Sequence, residues 1–478
     1  MENINNSSTT HIANPSNPKI LIAGAGISGL TLAILLEKAS LDYEIFEKST
    51  SLRALGSATT LSPNVLPLLE QLGLLEELKG IWKECRNAAM YKESADNENL
   101  EFLCQSDFAE HMELGGYPSV FMPRPDLQAL LLAHVPSHKI HLGKRILSIS
   151  QHITNGVLIR TSDGATHEGD ILVGSDGAYS GVRQSLYKQM EKEGLLPKSD
   201  AEDMKVCHMS ILGTTNPMDP SIVPHSKDGY GRVDSVIGYN KPHTWRYFEV
   251  PGNRFCWRVD VQLQSNSFVQ SDAHENSDWG SESSGSIHED WRSFKLPLGV
   301  DGSRITIGDL IDATDKENVT KVMLEEKLYT TWYHCRTVLM GDACHKMLPS
   351  GGRGAVNAML DAVIIANTLY EIAENATYEN ISSAFKEYYS ERYHRAKTDL
   401  EASQRISKFV AGQTWMESLT RTIVLNYLPT SLMRRSYIQT MAYRPQASFL
   451  PKIEYRGSGR VDPQKESKRY MEEKAEAV

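Results

Sequence analysis

A cysteine and a histidine stand side by side late in the chain, and they are the first candidates for chemistry. Cys344 and His345 come shortly after Asp342. A thiol next to an imidazole suggests a nucleophile with its base, and the three side chains together suggest a metal site. Adjacent side chains at the end of a strand point apart, however, and no further Cys or His follows at ligand spacing. We therefore predict neither a nucleophile nor a metal site and expect Cys344 to be a packing residue.

Three glycines near the N-terminus are a stronger signal. Gly24, Gly26 and Gly29 form the pattern G-x-G-x-x-G between an apolar strand and an apolar helix. The first glycine allows a tight turn, the second lets the backbone approach a pyrophosphate, and the third lets helix and strand pack closely. Glu47 ends the next strand, where a ribose-binding carboxylate belongs. The pattern predicts a dinucleotide at the N-terminus of the helix in a βαβ unit, and it leaves NAD and FAD both open.

Two later stretches repeat the order of a strand, a carboxylate and a helix start. In "GSDGAYSGVR", Asp176 ends a strand, Ser180 is placed to cap the next helix and Arg183 lies in its first turn. In "TVLMGDACHKMLPSGGRGAVNAM", Asp342 ends a strand and a glycine-rich helix start follows. A carboxylate at a strand end can accept hydrogen bonds from ligand hydroxyls such as those of ribitol, and the helix start favours negative charge. An NAD dehydrogenase would leave both stretches unexplained.

Composition narrows the class of protein. The 478 residues carry a formal net charge of −10, which argues against nucleic acid as a partner because phosphate binding needs clustered Lys and Arg. Six cysteines are scattered without CxxC pairs, and this favours a reducing, cytoplasmic compartment. The polar residues 1–18 are predicted to be a disordered tail and not a signal peptide.

No apolar run reaches the roughly 18 residues that a membrane span requires. The nearest is "TIVLNYLPTSLM" (422–433), which is short, contains a proline and is flanked by arginines. We predict that it packs on the core as part of a C-terminal helix. The alternative is a weak contact with a membrane surface, which would make the protein peripheral to a membrane.

The chain between the motifs divides into regions of different pattern. Residues 139–174 contain Asn-Gly and Asp-Gly hairpin signals and predict an antiparallel meander that returns to the main sheet. Residues 203–263 are strand-rich and predict a second sheet that covers a pocket. The Ser/Asp/Glu-rich stretch 264–290 is predicted to be a mobile insertion, and residues 360–409 to be mostly helical.

The three motifs occur in a fixed order: G-x-G-x-x-G, then D-G-x-x-S-x-x-R, then G-D-A-x-H-x-x-x-P-x-x-G-x-G. In this order they resemble the single-component FAD-dependent monooxygenases that share the para-hydroxybenzoate hydroxylase fold, over about residues 19–400. Within that family, residues 59–78 and 122–132 resemble the fungal branch similar to zeaxanthin epoxidase and to epoxidases of meroterpenoid and indole-diterpene pathways.

The resemblance implies an α/β fold: a Rossmann-like FAD-binding domain with an inserted β-meander, a β-sheet substrate domain and C-terminal helices. The expected domain boundaries are a disordered tail at 1–18, the first part of the FAD-binding domain at 19–200, the substrate-binding sheet at 201–330 with its mobile insertion at 264–290, the second part of the FAD-binding domain at 331–400, a C-terminal helical segment at 401–455 and a charged tail at 456–478.

The resemblance also implies a set of FAD contacts. Carried over by position, they are Gly24, Gly26 and Gly29 for the pyrophosphate, Glu47 for the adenosine ribose, Ala58 as a small residue near the flavin, Arg124 from the R-x-x-L segment, Asp342 for the ribitol, and the Gly354–Ala355 backbone for the isoalloxazine edge. Asp176 and Arg183 are implicated with both FAD and NAD(P)H, and His345 is expected in a loop or at the flavin edge.

The implied reaction uses NADPH or NADH to reduce FAD, and O2 then gives a flavin C4a-hydroperoxide that hydroxylates or epoxidises a small, apolar or aromatic substrate. Tyr230 is the candidate catalytic residue, as a proton donor or a group that orients substrate. The alternatives are a non-oxygenating flavin reductase of the same fold and a catalytically silent FAD-binding paralogue. A halogenase is disfavoured, since no two tryptophans stand two residues apart.

The third motif departs from the family pattern at several positions. Arg353 and Val356 stand where Gln and Asn are usual, an asparagine follows at Asn357, and Leu360 replaces the Glu expected before Asp361. A fixed charge at Arg353 predicts either a raised flavin potential or a site for a substrate anion. These departures leave the choice of cofactor unchanged, while substrate, regiochemistry, NADH or NADPH, and oligomeric state stay open.

Overall fold

A computed structural model of the chain describes residues 16–51, 56–223, 229–263, 289–299, 304–411, 415–427 and 430–476. The disordered tail expected at 1–18 and the mobile insertion expected at 264–290 lie almost wholly outside the described residues. Two large sheets and a set of helices make up the rest of the molecule.

The chain forms nineteen strands within the described residues. In chain order they are β1 (Ile20–Ala23), β2 (Tyr43–Phe46), β3 (Ala58–Leu61), β4 (Lys83–Glu93), β5 (Leu100–Asp107), β6 (Ser119–Pro123), β7 (Ile140–His141), β8 (Ile146–His152), β9 (Gly156–Thr161), β10 (Thr166–Gly169), β11 (Ile171–Gly174), β12 (Lys205–Thr214), β13 (Gly231–Ile237), β14 (His243–Val250), β15 (Arg254–Gln262), β16 (Thr320–Leu328), β17 (Tyr333–His334), β18 (Thr337–Leu339) and β19 (His345–Lys346).

The α-helices of the same described residues are numbered in the same way. They are α1 (Ile27–Lys38), α2 (Leu66–Gln71), α3 (Leu75–Lys79), α4 (Ala109–Gly115), α5 (Arg124–Ala133), α6 (Gly181–Lys192), α7 (Lys198–Ala201), α8 (Glu289–Arg292), α9 (Ile307–Asp312), α10 (Gly354–Ile372), α11 (Tyr378–Ala411), α12 (Trp415–Tyr427), α13 (Thr430–Ala442) and α14 (Lys468–Glu476).

The first sheet has six strands in the order β17-β18-β11-β1-β2-β7. β1 pairs in parallel with β2 and β11, and β11 pairs in parallel with β18, whereas β17 is antiparallel to β18. All four residues of β1 are buried, as expected for a continuous apolar strand covered on both faces. The carboxyl ends of β1, β11 and β18 therefore lie side by side, and each of the three sequence motifs begins at one of them.

The meander predicted for residues 139–174 is confirmed. β8, β9 and β10 form a three-stranded antiparallel sheet, and β11 then returns to the first sheet. Gly156 and Gly164 have φ of 79° and 84°, which the two tight turns require. Here local turn chemistry was sufficient to predict the structure.

The second sheet has ten strands, and it is larger than the sequence predicted. Its order is β19-β16-β12-β15-β14-β13-β4-β6-β3, with β5 paired to β4. Strands β3 to β6 fall within residues 58–123, which the prediction assigned to the FAD-binding domain at 19–200. The boundary at 201 therefore does not separate the sheets, because strand pairing between distant segments is not visible in local pattern.

The two faces of the second sheet differ in chemistry. Trp245, Trp257 and Val259 lie on one face, in an apolar cluster closed by Trp291 and Phe294. The alternate positions of β12, β14 and β15 carry polar and charged residues on the opposite face, which turns towards the loop before α10 and the end of α11. One face packs into an apolar cluster, and the other places polar side chains against the third motif and α11.

The C-terminal part is helical and packs back onto the core. Within the described residues, α10 is the single helix long and apolar enough to cross a membrane, but 78% of its apolar window is buried inside the protein. The segment predicted as a charged tail at 456–478 contains α14, and the Ser467 hydroxyl donates to Glu371 on α10 over 2.6 Å. The charges of this segment are used in contacts with the body of the protein.

Candidate active site

The glycine turn after β1 has the geometry that the sequence predicted. Gly24 has φ of +97°, and a Cβ on Gly29 would lie 2.0 Å from the carbonyl oxygen of Gly24. No side chain other than hydrogen fits at either position. A Cβ on Gly26 would meet nothing within 4 Å, so the turn borders open space at the point where a pyrophosphate would approach the backbone.

Glu47 stabilises this turn with hydrogen bonds. Its carboxylate accepts the backbone N–H of Ala25 at 2.8 Å and that of Ser49 at 2.9 Å. The side-chain amide of Gln128 on α5 donates to the Ala25 carbonyl at 2.9 Å. Glu47 therefore lies where the sequence placed it and fixes the loop, while its contact with an adenosine ribose stays a prediction.

Asp176 and Arg183 are turned towards the protein. Asp176 accepts the Ser180 hydroxyl at 2.5 Å and the N–H of Val182, and burial raises the pKa of this carboxyl. Arg183 donates to the carbonyls of Ala343 (2.8 Å) and Ala178 (2.6 Å). The second motif thus ties the start of α6 to the turn that carries Asp342, and its contact with FAD or NAD(P)H stays a prediction.

Asp342 opens into a cleft. Its carboxylate is 38% exposed and accepts a hydrogen bond from Lys346 at 2.8 Å. Burial alone would raise the pKa of Asp342, but Lys346, and after it His345 and Arg124, outweigh burial, and the pKa lies below the ordinary value. Arg124 at the start of α5 is also exposed, although protein surrounds it closely enough to lower its pKa. The carboxylate is therefore ionised and accessible, as hydroxyl binding requires.

The N-terminus of α10 borders the same open space. A Cβ on Gly354 would meet nothing within 4 Å, and Gly354 and Ala355 are both partly exposed. Gly352, just before the helix, has φ of +63° and lies against Thr60 on β3, the strand that carries Ala58. Free N–H groups at this helix start suit the edge of a ring on which negative charge collects.

Arg353 does not provide a free charge to this space. Its guanidinium donates to Asp399 on α11 (3.1 Å) and to the side-chain oxygen of Asn64 (2.9 Å). This pairing lowers the net charge that Arg353 presents, and its effect on the flavin potential or on a substrate anion stays a prediction. Asn357 donates to the same Asp399 carboxylate at 2.7 Å.

His345 is buried, and the expectation of a loop or flavin-edge contact is wrong. It is 1% exposed, and its ring lies 2.5 Å from the Asp361 carboxylate. Asp361 also accepts Arg392 at 2.8 Å and the N–H of Gly341 at 2.9 Å. Burial would raise the pKa of Asp361, but His345 and Arg392 lower it below the ordinary value. We name Asp361, His345 and Arg392 the closed network.

Cys344 lies beside the closed network and is fully buried, as predicted for a packing residue. Burial raises the pKa of its thiol well above the ordinary value, so a thiolate is disfavoured. Ligand atoms of Cys344, His345 and Asp361 do lie within 4.8 Å of one another, which the sequence did not predict. Arg392 already supplies to Asp361 the positive charge that a metal ion would supply.

Tyr230, the candidate catalytic residue, stacks against the guanidinium of Arg86, 3.7 Å from the ring centroid. This contact joins the start of β13 to β4. It neither supports nor opposes a role in proton transfer, and the catalytic role of Tyr230 stays a prediction.

The sequence analysis did not predict two groups of polar residues at this site. Lys346 follows the Cys-His pair and neutralises Asp342, and Glu325 on β16 accepts the hydroxyl of Tyr179 nearby. Arginines also occupy alternate positions of the second sheet, such as Arg246 in "HTWRYFEV". That alternation of polar and apolar residues was visible in the sequence and was the signal for a polar sheet face.

The sequence matches a family described as an FAD binding domain over residues 17–247 and 304–403, which is more than half of the chain. The chain belongs to this FAD-binding family. The FAD-dependent monooxygenase ptmM of Penicillium ochrochloron is 27% identical over 405 residues, 82% of this chain and 89% of that protein. The FAD-dependent monooxygenase andE of Emericella variicolor is 29% identical over 427 residues, 87% of this chain and 84% of that protein.

Solved structures share the fold of this FAD-binding chain. Klebsiella pneumoniae HpxO, complexed with FAD and uric acid, has a TM-score of 0.68 at 19% identity and covers 89% of this chain and 97% of its own. CtdE in complex with FAD and a substrate has a TM-score of 0.66 at 16% identity, with coverage of 89% and 98%. Family and relatives agree on the class of enzyme: the protein is an FAD-dependent monooxygenase.

The residues of the cleft fit the cofactor of this family. The open space above Gly26 and before Gly354, together with the ionised and accessible Asp342, gives a cradle for a pyrophosphate, a place for a ring edge and an acceptor for ribitol hydroxyls. These are the three points at which a bound FAD needs the protein most.

Proposed function

We propose that this monooxygenase uses NADH or NADPH and O2 to hydroxylate or epoxidise a small organic substrate with an apolar or aromatic body. The observation that carries the proposal is the contact between the glycine-rich third motif and the second sheet: Leu348 and Ser350, in the loop before α10, lie against the polar face of that sheet. A bound and reduced FAD would supply the chemistry of O2.

The protein's own residues have three tasks in this proposal. Asp342 and the Gly24 turn hold the cofactor, and the N-terminus of α10 stabilises negative charge at its ring edge. The second sheet covers the reacting face and keeps water away from it. Tyr230 is proposed to orient the substrate or to donate a proton to it.

The test begins with the visible spectrum of the purified protein. We expect a yellow protein with the flavin absorbance bands, which consumes NAD(P)H and O2 in amounts that rise when a substrate from a metabolite library is added. Oxidation of NAD(P)H without incorporation of oxygen into any product would favour the reductase of the same fold. Bound flavin that NAD(P)H cannot reduce would favour the silent paralogue.

A contact between α12–α13 and a membrane surface is proposed as a second property. Met416, Leu419 and Ile423 follow helical spacing on α12 and are 61%, 50% and 51% exposed. An exposed apolar helix face of this kind suits the boundary of a lipid headgroup layer, and a cytoplasmic location with peripheral attachment would follow.

Sedimentation with vesicles of phosphatidylcholine and phosphatidylserine tests this contact. We expect wild type to pellet with the vesicles and the double variant L419S/I423S to stay in solution. The matched control is I153S, since Ile153 is a 49% exposed apolar residue on the meander. Equal pelleting of wild type and L419S/I423S would contradict the proposal.

A further inference from the structure

Two arginines face each other on the polar side of the second sheet. Arg246 on β14 and Arg258 on β15 are direct cross-strand partners. Their side chains are only 12% and 9% exposed. Like charges at directly opposed positions of a sheet are destabilising. This pair therefore needs compensating negative charge.

One carboxylate supplies part of it. Asp260 accepts Arg258 at Oδ1 (Nη2 at 2.6 Å, Nε at 2.9 Å) and at Oδ2 (Nη2 at 2.6 Å). It also accepts the hydroxyl of Ser210 at 2.7 Å. Burial would raise the pKa of Asp260, but Arg258 and Arg246 lower it below the ordinary value, so the carboxyl is ionised. Asp260 therefore makes its side-chain hydrogen bonds with Arg258 and Ser210 and not with Arg246.

Arg246 is left without a comparable partner. Its closest approach to Asp260 is 3.7 Å, an ion pair without a hydrogen bond. Its Nε is buried and has no hydrogen-bond partner among the residues that the structure describes. Burial, followed by the charge of Arg258, lowers the pKa of Arg246 to about 10, so the group is still charged near neutral pH. Among the described residues at this position, two cations face one anion, which leaves one positive charge in excess.

His208 faces the same space from β12. Its Nε2 is buried and likewise has no partner within the described part of the chain. Burial lowers its pKa, Asp260 opposes this, and Arg258 and Arg246 add to the lowering, so the pKa lies below the ordinary value and the imidazole is neutral near neutral pH. His208 therefore adds a hydrogen-bonding group to the site without cancelling the excess charge.

These side chains line a small cavity on the cofactor side of the sheet. Leu348 and Ser350 close it from the loop before α10, and Ser407 closes it from α11. The cavity volume is about 10 Å³, room for about one water molecule, so it suits a small polar group and not the body of a ligand. We name this site the cationic cavity.

An apolar surface adjoins the cationic cavity on the same sheet face. Phe248 lies two residues after Arg246 on β14 and therefore points to the same side. Its ring lies 5.7 Å from that of Phe121, in a cluster with Cys85 and Val233. Phe248 is only partly buried, so its ring offers apolar contact on the face that carries the incompletely paired Arg246.

We propose that the substrate of this monooxygenase carries an acidic oxygen, as a carboxylate or an ionised phenol or enol, next to an apolar body, and that Arg246 binds this oxygen in the cationic cavity. The inference rests on the proposed function and makes its substrate class more specific. Arg246 is a specificity-determining residue in this assignment, and His208 is a second group that contacts the bound oxygen.

The test compares two ligands that differ in one charged group. 4-Phenylbutanoate and 4-phenylbutanamide are titrated into the flavin-loaded protein, and binding is measured from the change in flavin absorbance. We expect wild type to bind the acid at least about tenfold more tightly than the amide, the effect of one charge-assisted hydrogen bond. We expect R246Q to remove this preference and R246K to retain part of it.

The matched control is R232Q. Arg232 lies on the neighbouring strand β13, is 47% exposed and occupies a position on the opposite face. R232Q should keep the preference for the acid. Equal binding of acid and amide by wild type would overturn the proposal, and so would an unchanged preference in R246Q.

Failure of this inference and failure of the proposed function give different results. A protein without bound flavin, or with flavin that NAD(P)H cannot reduce, contradicts the proposed function. The ligand pair is then measured by the shift in thermal unfolding of the purified chain, which needs no flavin. A larger shift with the acid than with the amide, absent in R246Q, supports the cationic cavity by itself, and equal shifts overturn it.

Discussion

The molecule contains two buried arginine–carboxylate sites that differ in how fully the arginine is paired. In the closed network, Arg392 and Asp361 are both 0% exposed, and Arg392 donates a hydrogen bond of 2.8 Å to a carboxylate that also contacts His345. In the cationic cavity, two arginines share Asp260. The pKa of Arg392 is raised, since Asp361 outweighs its burial, whereas the pKa of Arg246 is lowered. Removing one partner of the hydrogen-bonded pair would leave a buried charge uncompensated, whereas Arg246 is only partly compensated in the intact protein.

We expect the largest effect on the free energy of unfolding from R392Q. Removing Arg392 leaves Asp361 buried with only His345 and a backbone N–H, so we expect the free energy of unfolding to fall by about 3–5 kcal/mol. Chemical denaturation of wild type and variant measures this. A loss below about 1 kcal/mol would show that the closed network does not stabilise the fold.

Asp342 is intermediate between the two buried sites, because its charge is paired with Lys346 and its carboxylate is still partly exposed. D342N removes a charged acceptor for hydroxyls, and we expect FAD to bind about 10–100-fold more weakly with little change in unfolding. Flavin retention during dialysis and the dissociation constant of FAD measure it. The control D163N alters an exposed Asp–Lys pair on the meander and should leave FAD binding unchanged. Equal FAD affinity in D342N and wild type would contradict the ribitol assignment.

R246Q should behave in the opposite way to R392Q. It removes the charge in excess and leaves Asp260 bound to Arg258, so we expect the free energy of unfolding to stay the same or to rise, by no more than about 1 kcal/mol. The same denaturation experiment measures both arginine variants. A loss comparable to that of R392Q would remove the distinction between the two sites.

The smallest expected effect is that of pH on the contribution of Asp361 to the free energy of unfolding. The pKa of Asp361 in the folded protein lies below the unfolded value of about 3.9, so its contribution to stability is complete above that value and is lost as pH falls through the folded pKa. We expect the stability difference between wild type and D361N to be constant from pH 8 to 5 and to shrink below pH 4. A slope between pH 8 and 5 would indicate that another group of the network titrates there.

Local features of the site could be predicted from the sequence. The turn at Gly24, the cap at Ser180 and the helix start at Gly354 each depend on residues within a few positions of one another. Gly24, Gly26 and Gly29 have their turn geometry because a Cβ at two of them would strike backbone, a constraint that the pattern itself expresses.

The charge networks could not be predicted, because their partners are far apart in the chain. Arg353 finds Asp399 on a different helix, and Arg246 meets Asp260 only after β14 and β15 pair. The same reason explains why residues 58–123, which contain β3 to β6, were placed in the FAD-binding domain and not with the second sheet: a strand's pattern shows that one face is buried and not which neighbour it joins.

The strand order of the first sheet has a consequence for synthesis. β1 pairs with β11, and β11 pairs with β18. The centre of the sheet is therefore assembled from residues 20–23, 171–174 and 337–339. At about 5–20 residues per second, a ribosome delivers β18 roughly 8–33 s after β11. During that interval the free edge of β11 is open to other chains, a hazard that chaperones would cover. Cofactor loading must therefore follow release of most of the chain from the ribosome.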